Sequence, residues 1–538
     1  MKSISDNRIP HEGPEDAAIF FLGDCPSGYD DEIGRPFMDR AGDFLENHLQ
    51  DMGIDRDAVR IGHLCNYHPT KNDWKRVQNT PQLLESQQYL REYLRSANHK
   101  IIVPMGPQAL SFLTGFTDIT KRRGSVYKHG EAFVIPMLHP SSCVLDGAAR
   151  MAFFLDLKKV ARVLEDGWSE YPFKHWIHPD VYQLEGILPE LRAAPFLSVD
   201  IESKIGCTYI RCIGFAWARD KATCIFNDAP YAEGQSPIGP NFRRVVGELL
   251  ANDAAKLFHN GMFDTIMLEA NGFEINNYTE DTMIRQHVIE PELPLGLDYC
   301  TSIYTDINYY KDDGKESSDK INKEKLGLYN CKDVIATWLV WEAQEAELDE
   351  TTRAYYQYKM TQLPLAKHFS NTGLFVKEER RDEILSRVSA KREEDFTVFV
   401  GIQQMVGAEP FKVTQHAKVK DFLYKTLELP IKTDREGNVT ADEDACVTLI
   451  GTVERKLQEL KTDKSKDPWK LKLAVLKLLL RIRGQEKLLS SYINVNVSLD
   501  GRVRSWYKFW GTETGRWSAG SWYDGTGLNG QTIPREKV

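Results

Sequence analysis

Three patterns of apolar and polar positions follow one another along the 538-residue chain. Over residues 18–165, strand-like apolar runs (AIFFLGD, KIIVPMG, AFVIPML) alternate with helical sequence. In LLESQQYLREYLRSAN, Leu83, Leu90, Leu94 and Ala97 fall on one helical face. Pro107, just after IIVPMG, suits the first turn of a following helix. This alternation predicts an α/β layout with a mostly parallel sheet. GWSEYPFKHWIHPD, residues 167–180, mixes proline and aromatics without a period and reads as a linker. A second α/β unit opens at PFLSVDIES and runs through GFAWARD and KATCIF into largely helical sequence, to about residue 348. Within it, YYKDDGKESSDKINKEK, residues 309–325, reads as a charged surface loop. From Thr351 the sequence is mostly helical, with a long helix near 468–490. Its predicted apolar face is Leu471, Val475 or Leu476, Leu479 and Ile482. A strand-like run from Val503 to Phe509 then leads into a polar, glycine-broken loop.

The length implies three or four domains. No stretch of 18 apolar residues occurs, which excludes a membrane helix, and the first residues lack the apolar core of a signal peptide. Nine scattered cysteines without a CxxC pair fit a reducing compartment, so the expected location is the cytoplasm. The net charge of −10 counts against coating nucleic acid with the whole surface. Residues 453–487, however, hold eleven Lys or Arg against five Asp or Glu, enough to focus a polyanion locally.

The candidate chemistry is acidic. Asp200 and Glu202 lie two apart on a strand-like run, so both leave one face. Asp264 follows in FHNGMFDTIML and Asp333 in LYNCKDVIATW, with Tyr329 one helical turn before it on the same face. Oxygen-only ligands favour Mg²⁺ or Mn²⁺, and two such ions can activate a water and hold a leaving oxygen. Asp281, in EDTMI, reads as structural.

These motifs resemble the 3′→5′ exonuclease domain of family A DNA polymerases, the family of bacterial DNA polymerase I. Asp200-Ile-Glu202, Asn260-Gly-Met-Phe-Asp264 and Tyr329-Asn-Cys-Lys-Asp333 stand in the family's order. The resemblance implies that Asp200, Glu202, Asp264 and Asp333 hold two ions, that Tyr329 positions the attacking water, and that Asn260 contacts DNA. Further on, Arg483 and Lys487 resemble the family's thumb arrangement. Thr512-Glu-Thr514-Gly515-Arg516 with Asn529-Gly-Gln531 resembles its first polymerase motif, which holds the primer–template. Thr514, Arg516, Asn529 and Gln531 are therefore expected DNA contacts. The family's later catalytic carboxylates do not follow, so a second polypeptide or a longer chain is expected to supply the rest of the palm and the fingers.

GDCPSGYDDEIGRPFMDRAGDFL, residues 23–45, and His139-Pro-Ser resemble motifs of the iron–sulfur type of uracil-DNA glycosylase. That places Asp24 and His139 in a glycosylase-like pocket. Asp24 stands where the motif has Glu, only Cys65 sits at a ligand-like place, and Ser86 stands where another ligand is expected. These departures argue against an iron–sulfur cluster and against efficient base excision.

The resulting expectation is a multidomain α/β chain. A glycosylase-like α/β domain (1–166), a linker (167–195) and an RNase H-like exonuclease domain (196–348) precede a mostly helical thumb and partial palm (349–538). The resemblance extends to polymerases of large tailed bacteriophages, which would place the chain in a host cytoplasm. Its partners would be primer–template duplex and single-stranded 3′ ends, with no membrane. Two alternatives stay open, a stand-alone exonuclease and a non-catalytic DNA-binding repair scaffold.

Overall fold

The computed structural model describes residues 4–204, 206–232, 235–314, 322–434, 437–498, 500–523 and 525–533. The chain divides into two units, Met1–Leu365 with Phe509–Trp517 and Ala366–Lys508 with Ser518–Val538.

The runs IFFLG and IIVPM are buried at every position, as parallel strands covered on both faces require. They form the centre of a five-stranded sheet in the order Arg60–His63, Ile19–Gly23, Ile101–Met105, Ala132–Val134, Tyr127–His129. The first four strands are parallel, and the last pairs antiparallel as a hairpin. Strand alternation sends Phe21 and Val103 to one face, where Phe153 and Leu157 of the helix Gly147–Asp166 cover them. Phe20, Leu22 and Ile102 go to the other, against Leu90 and Leu113. Each fully buried side chain of this size contributes about 1.5–3 kcal/mol. In the helix Pro81–Ser96, Leu83 and Leu90 are buried and Leu94 is half-buried. Ala97 departs from the predicted face, because it is the extended residue that ends the helix.

A six-stranded sheet follows, ordered Tyr278–Asp281, Ala255–Phe258, Phe196–Ser203, Ile210–Ala218, Lys221–Phe226, Lys174–Ile177. The last of these corrects the reading of 167–180 as a linker: Lys174–Ile177 is an edge strand, paired in parallel with residues 221–224. The next helix, Val181–Ala193, starts at a capping box made by Asp180 and Gln183. The helix Lys323–Glu347 lies across the sheet, and its Cys331, Val334 and Ile335 pack with Cys212, Ala216 and Cys224.

In the second unit, the helices Glu378–Met405, Glu443–Glu459 and Asp463–Leu488 enclose a core containing Phe399, Leu449, Val453, Leu479 and Ile482. Val475 and Leu476 are both buried in it, whereas Leu471 packs at its margin. The strands Trp506–Lys508 and Ser518–Gly520 pair antiparallel. Among the described residues, no helix is long and apolar enough to cross a membrane.

Candidate active site

The strand Phe196–Ser203 sits between a parallel neighbour, Ala255–Phe258, and an antiparallel one, Ile210–Ala218. Leu197, Val199 and Ile201 are buried on one face, which leaves Asp200 and Glu202 on the other, opposite Gly214 and Cys212. On that side the helix Lys323–Glu347 brings in Asp333, 3% exposed, with Tyr329 one turn earlier. Carboxylate oxygens of Asp200, Glu202 and Asp333 lie within 4.8 Å of one another, the one such group of three among the described residues.

Asp264 stands beside this trio in a different role. It projects from the helix Gly261–Ala270, is buried, and accepts a hydrogen bond from the Ile201 amide at 3.0 Å. Asn260, before it, adopts the left-handed conformation (φ 63°) and caps that helix by position. Its amide and that of Gly261 donate to Asp281, at 3.2 and 2.9 Å. Asp281 also accepts from Tyr278 Oη and from the amides of Met283 and Ile284, so a single carboxylate serves the starts of two helices.

Three neighbours escape the sequence reading. Asn330, fully buried, donates from Nδ2 to Asp200 Oδ2 at 2.8 Å. Gly214 is what admits it, since a Cβ there would lie 2.5 Å from Asn330 Oδ1. Tyr310 Oη donates to Asp333 Oδ1 at 2.5 Å, and Lys311 Nζ reaches the same oxygen at 2.6 Å and Tyr329 Oη at 3.2 Å. The start of the predicted surface loop is therefore part of the site, while its residues 315–321 lie outside the described residues. The adjacency of Asn330 to Tyr329 and the aromatic pair before Lys311 are the only sequence signals for these groups.

Crowding sets the electrostatics. Burial, then repulsion from Asp333, raises Asp200 well above the usual carboxylate range and Glu202 to about 8. Burial raises Asp264 to about 7. Burial works to lower Lys311, but Asp333 beside it wins and holds the ammonium above its ordinary value. The trio thus has a deficit of positive charge that one lysine only partly fills, which is the electrostatic condition for cation binding.

The other sequence candidates are distributed. Arg483 donates to the Ala441 carbonyl at 2.6 Å, inside the helical unit, and Lys487 is exposed in the last turn of Asp463–Leu488. Thr514 and Arg516 are exposed within the segment that packs with the first unit. Lys359 fixes that segment through the carbonyls of Phe509 and Gly515. Asn529 belongs to the second unit and caps a short turn by accepting from the Gln531 amide at 3.0 Å.

In the N-terminal sheet, Asp24 Oδ1 accepts from the amides of Gln108 and Ala109, at 3.1 and 2.8 Å, at the start of the helix Pro107–Thr114. Burial raises its pKa to about 6. His139 and His63 both stack on Phe37, with centroids 5.6 and 4.7 Å away. Burial lowers His139 to about 4 and His63 well below its ordinary value. Asn66 is fully buried, with neither its side-chain oxygen nor its side-chain nitrogen hydrogen-bonded. Cys25 and Cys65 pack in one apolar cluster, and burial holds the Cys25 thiol up at about 12. Ser86, which donates to the Gln82 carbonyl and accepts from the Asn66 amide, offers no thiolate. Among the described residues no third cysteine or histidine joins these two thiols, and an iron–sulfur cluster takes four thiolate ligands, so the residues present do not fit one.

Residues 10–158 match the uracil DNA glycosylase superfamily, and residues 177–349 match a 3′-5′ exonuclease family of the DNA polymerase A type. A type-4 uracil-DNA glycosylase of Sulfurisphaera tokodaii is 30% identical over 164 residues, 29% of this chain and 73% of the relative. The DNA polymerase of Bacillus phage SP01 is 28% identical over 166 residues, 31% of this chain and 18% of that polymerase. DNA polymerase I of Synechocystis is 26% identical over 165 residues, 29% of this chain and 16% of that enzyme. The chain thus spans less than a fifth of the length of either polymerase relative. Through residues 10–158 the chain belongs to the uracil DNA glycosylase superfamily, and it joins that domain to a 3′-5′ exonuclease domain with DNA polymerase relatives.

Proposed function

We propose that the chain is the proofreading component of family A DNA synthesis, removing nucleotides from single-stranded 3′ ends by two-metal hydrolysis. The observation that carries this is the convergence of Asp200, Glu202 and Asp333 within 4.8 Å, with Tyr329 beside them. Asp200, Glu202 and Asp333, with Asp264 adjoining, would hold Mg²⁺ or Mn²⁺, which supplies a lowered water pKa and charge for the leaving oxygen. Asn330 fixes Asp200, so this carboxylate presents one orientation. Tyr329 directs its hydroxyl toward the water that attacks the terminal phosphodiester. Lys311 holds a fixed positive charge at Asp333 and Tyr329. Within residues 349–538 the DNA contacts would come from Lys487, Thr514 and Arg516, exposed for phosphate, and from exposed Gln531 and half-buried Asn529 for sugar or base edges. Arg483 and Asn260 have structural engagements first and reach DNA, in this reading, through their neighbourhoods. The test is a single-stranded oligonucleotide labelled at its 5′ end: a ladder shortening from the 3′ end is expected with Mg²⁺ or Mn²⁺. EDTA should stop the reaction, and added metal should restore it. Digestion that persists in EDTA would sink the proposal.

For the N-terminal domain, the binding of Asp24 to two backbone amides favours a DNA-docking role over base excision. Its carboxylate is engaged at a helix start, and it is one methylene shorter than the Glu of the motif. Uracil release from DNA should be at background, and the purified protein should be colourless and free of iron. Alkali-sensitive cleavage at uracil within minutes would overturn this reading.

A further inference from the structure

Where the glycosylase-like and exonuclease domains meet, the segment 305–312 has residues that face two ways. Towards the N-terminal domain, Asn308 makes a reciprocal pair with the backbone of Val126, both bonds 2.7 Å. The Tyr309 amide donates to Ser125 Oγ at 3.0 Å, Arg122 reaches Asp312 at 2.9 Å, and Lys159 Nζ donates to the Thr305 carbonyl at 2.9 Å. Towards the carboxylates, Tyr310 and Lys311 make the contacts with Asp333 and Tyr329 described above. The N-terminal groups are buried at this junction, Ser125 to 2%, Lys159 to 8% and Arg122 to 9% exposure. Uncovering the Lys159 amine, hydrogen-bonded across the junction, together with the Arg122–Asp312 pair and the Asn308–Val126 bonds would cost several hydrogen bonds, so the contact is a permanent one.

We propose that the glycosylase-like domain serves as a positioning scaffold for the exonuclease, holding the 305–312 segment so that Lys311 fixes Tyr329 and Asp333. Lys311 is a positioning residue here: it touches the tyrosine hydroxyl and a metal-binding carboxylate, and it acts through them. The inference rests on the exonuclease reading above. It gives the N-terminal domain, whose Asp24 Oδ1 is tied to two backbone amides, a geometric contribution to the nuclease. A displacement of about 1 Å in a reacting group can cost up to about 100-fold in rate. An interface substitution with no contact to the carboxylates should therefore slow the chemistry.

The experiment is a double-mutant cycle in the full-length chain, read by single-stranded 3′ digestion with Mg²⁺. Asn308→Ala, and separately Arg122→Ala, should lower kcat about 10-fold or more while KM changes less than about twofold. Lys311→Met should produce a comparable loss, and Lys311→Arg should recover most of it. Asn308→Ala should add little in the Lys311→Met background, because both remove the same placement. Arg192→Ala, which breaks the exposed Arg192–Glu248 pair in the same domain, should leave kcat unchanged. Thermal melts identify any variant that has lost its fold, and two independent interface variants keep the comparison open. Interface variants with unaltered kcat, or with the same fold-loss in the Lys311→Met background, overturn the scaffold. A wild-type chain that digests nothing overturns the exonuclease reading itself, and the scaffold falls with it.

Discussion

Replacing Asp200 and Glu202 together by alanine removes 3′ digestion by at least about 1,000-fold, the several kcal/mol that metal-held charge supplies. The same change does not destabilise the protein in EDTA, and above pH 8 it raises the melting temperature. The reason is the sign of the linkage. Glu202 titrates at about 8 in the fold, against an ordinary 4.5. Between those values the folded state holds a proton that the unfolded state has released. Stability of the metal-free protein therefore falls as pH rises from 4.5 to about 8, and the penalty is complete above it. Deleting the crowded carboxylates removes that penalty. Gel analysis of a labelled 3′ end, beside melting curves at pH 6 and 9 in EDTA, reads both effects. Digestion at the wild-type rate would show the site to be misassigned. A melting temperature that drops at pH 9 would show that the two acids hold the fold rather than strain it.

Arg123→Ala destabilises the N-terminal domain by about 3–5 kcal/mol, the penalty for stranding one member of a buried ion pair. Arg123 and Asp156 are 3% and 1% exposed, and the guanidinium bonds both carboxylate oxygens, at 2.8 and 2.5 Å. Its remaining nitrogen donates to Ser302 Oγ at 3.0 Å, across the junction with the exonuclease domain. Without it, Asp156 keeps only the nearby Lys159 charge in a site that already raises its pKa by burial. The first thermal transition should fall by roughly 10 °C. Removing both partners, Arg123→Met with Asp156→Leu, should recover much of the loss, since an apolar pair need not be solvated. A single-variant change below about 1 kcal/mol would show that water enters the pair.

The parts of this site that can be read in the sequence are those set by short-range geometry. Two acids at i and i+2 on FLSVDIES must share a strand face, and Tyr329 and Asp333 at i and i+4 must share a helix face. Lys311 obeys neither rule. It sits in a run of charges with the composition of a solvated loop, and only long-range packing against residues 122–126 brings it inward. Asn330 is hidden for a similar reason, since nothing local marks an amide that will meet a strand 130 residues away. KHWI escaped as a strand because it is four residues long, lies at a sheet edge and gains its partner, Lys221–Phe226, from far along the chain. The N-terminal sheet was easier, since strands buried on both faces are apolar throughout.

Asp281 bears on how a nuclease-silent form of this chain should be built. It is an aspartate like Asp200 and lies in the same domain, so a scan that neutralises carboxylates would treat the two alike. Yet its oxygens receive five donors, from Asn260, Gly261, Tyr278, Met283 and Ile284, and tie two helix starts to one strand end. An engineer who wants a clean loss of digestion with the scaffold intact should alter the crowded pair on the central strand. Asp281 should stay in place, because it is the keystone and its loss would mimic inactivation by loosening the arch.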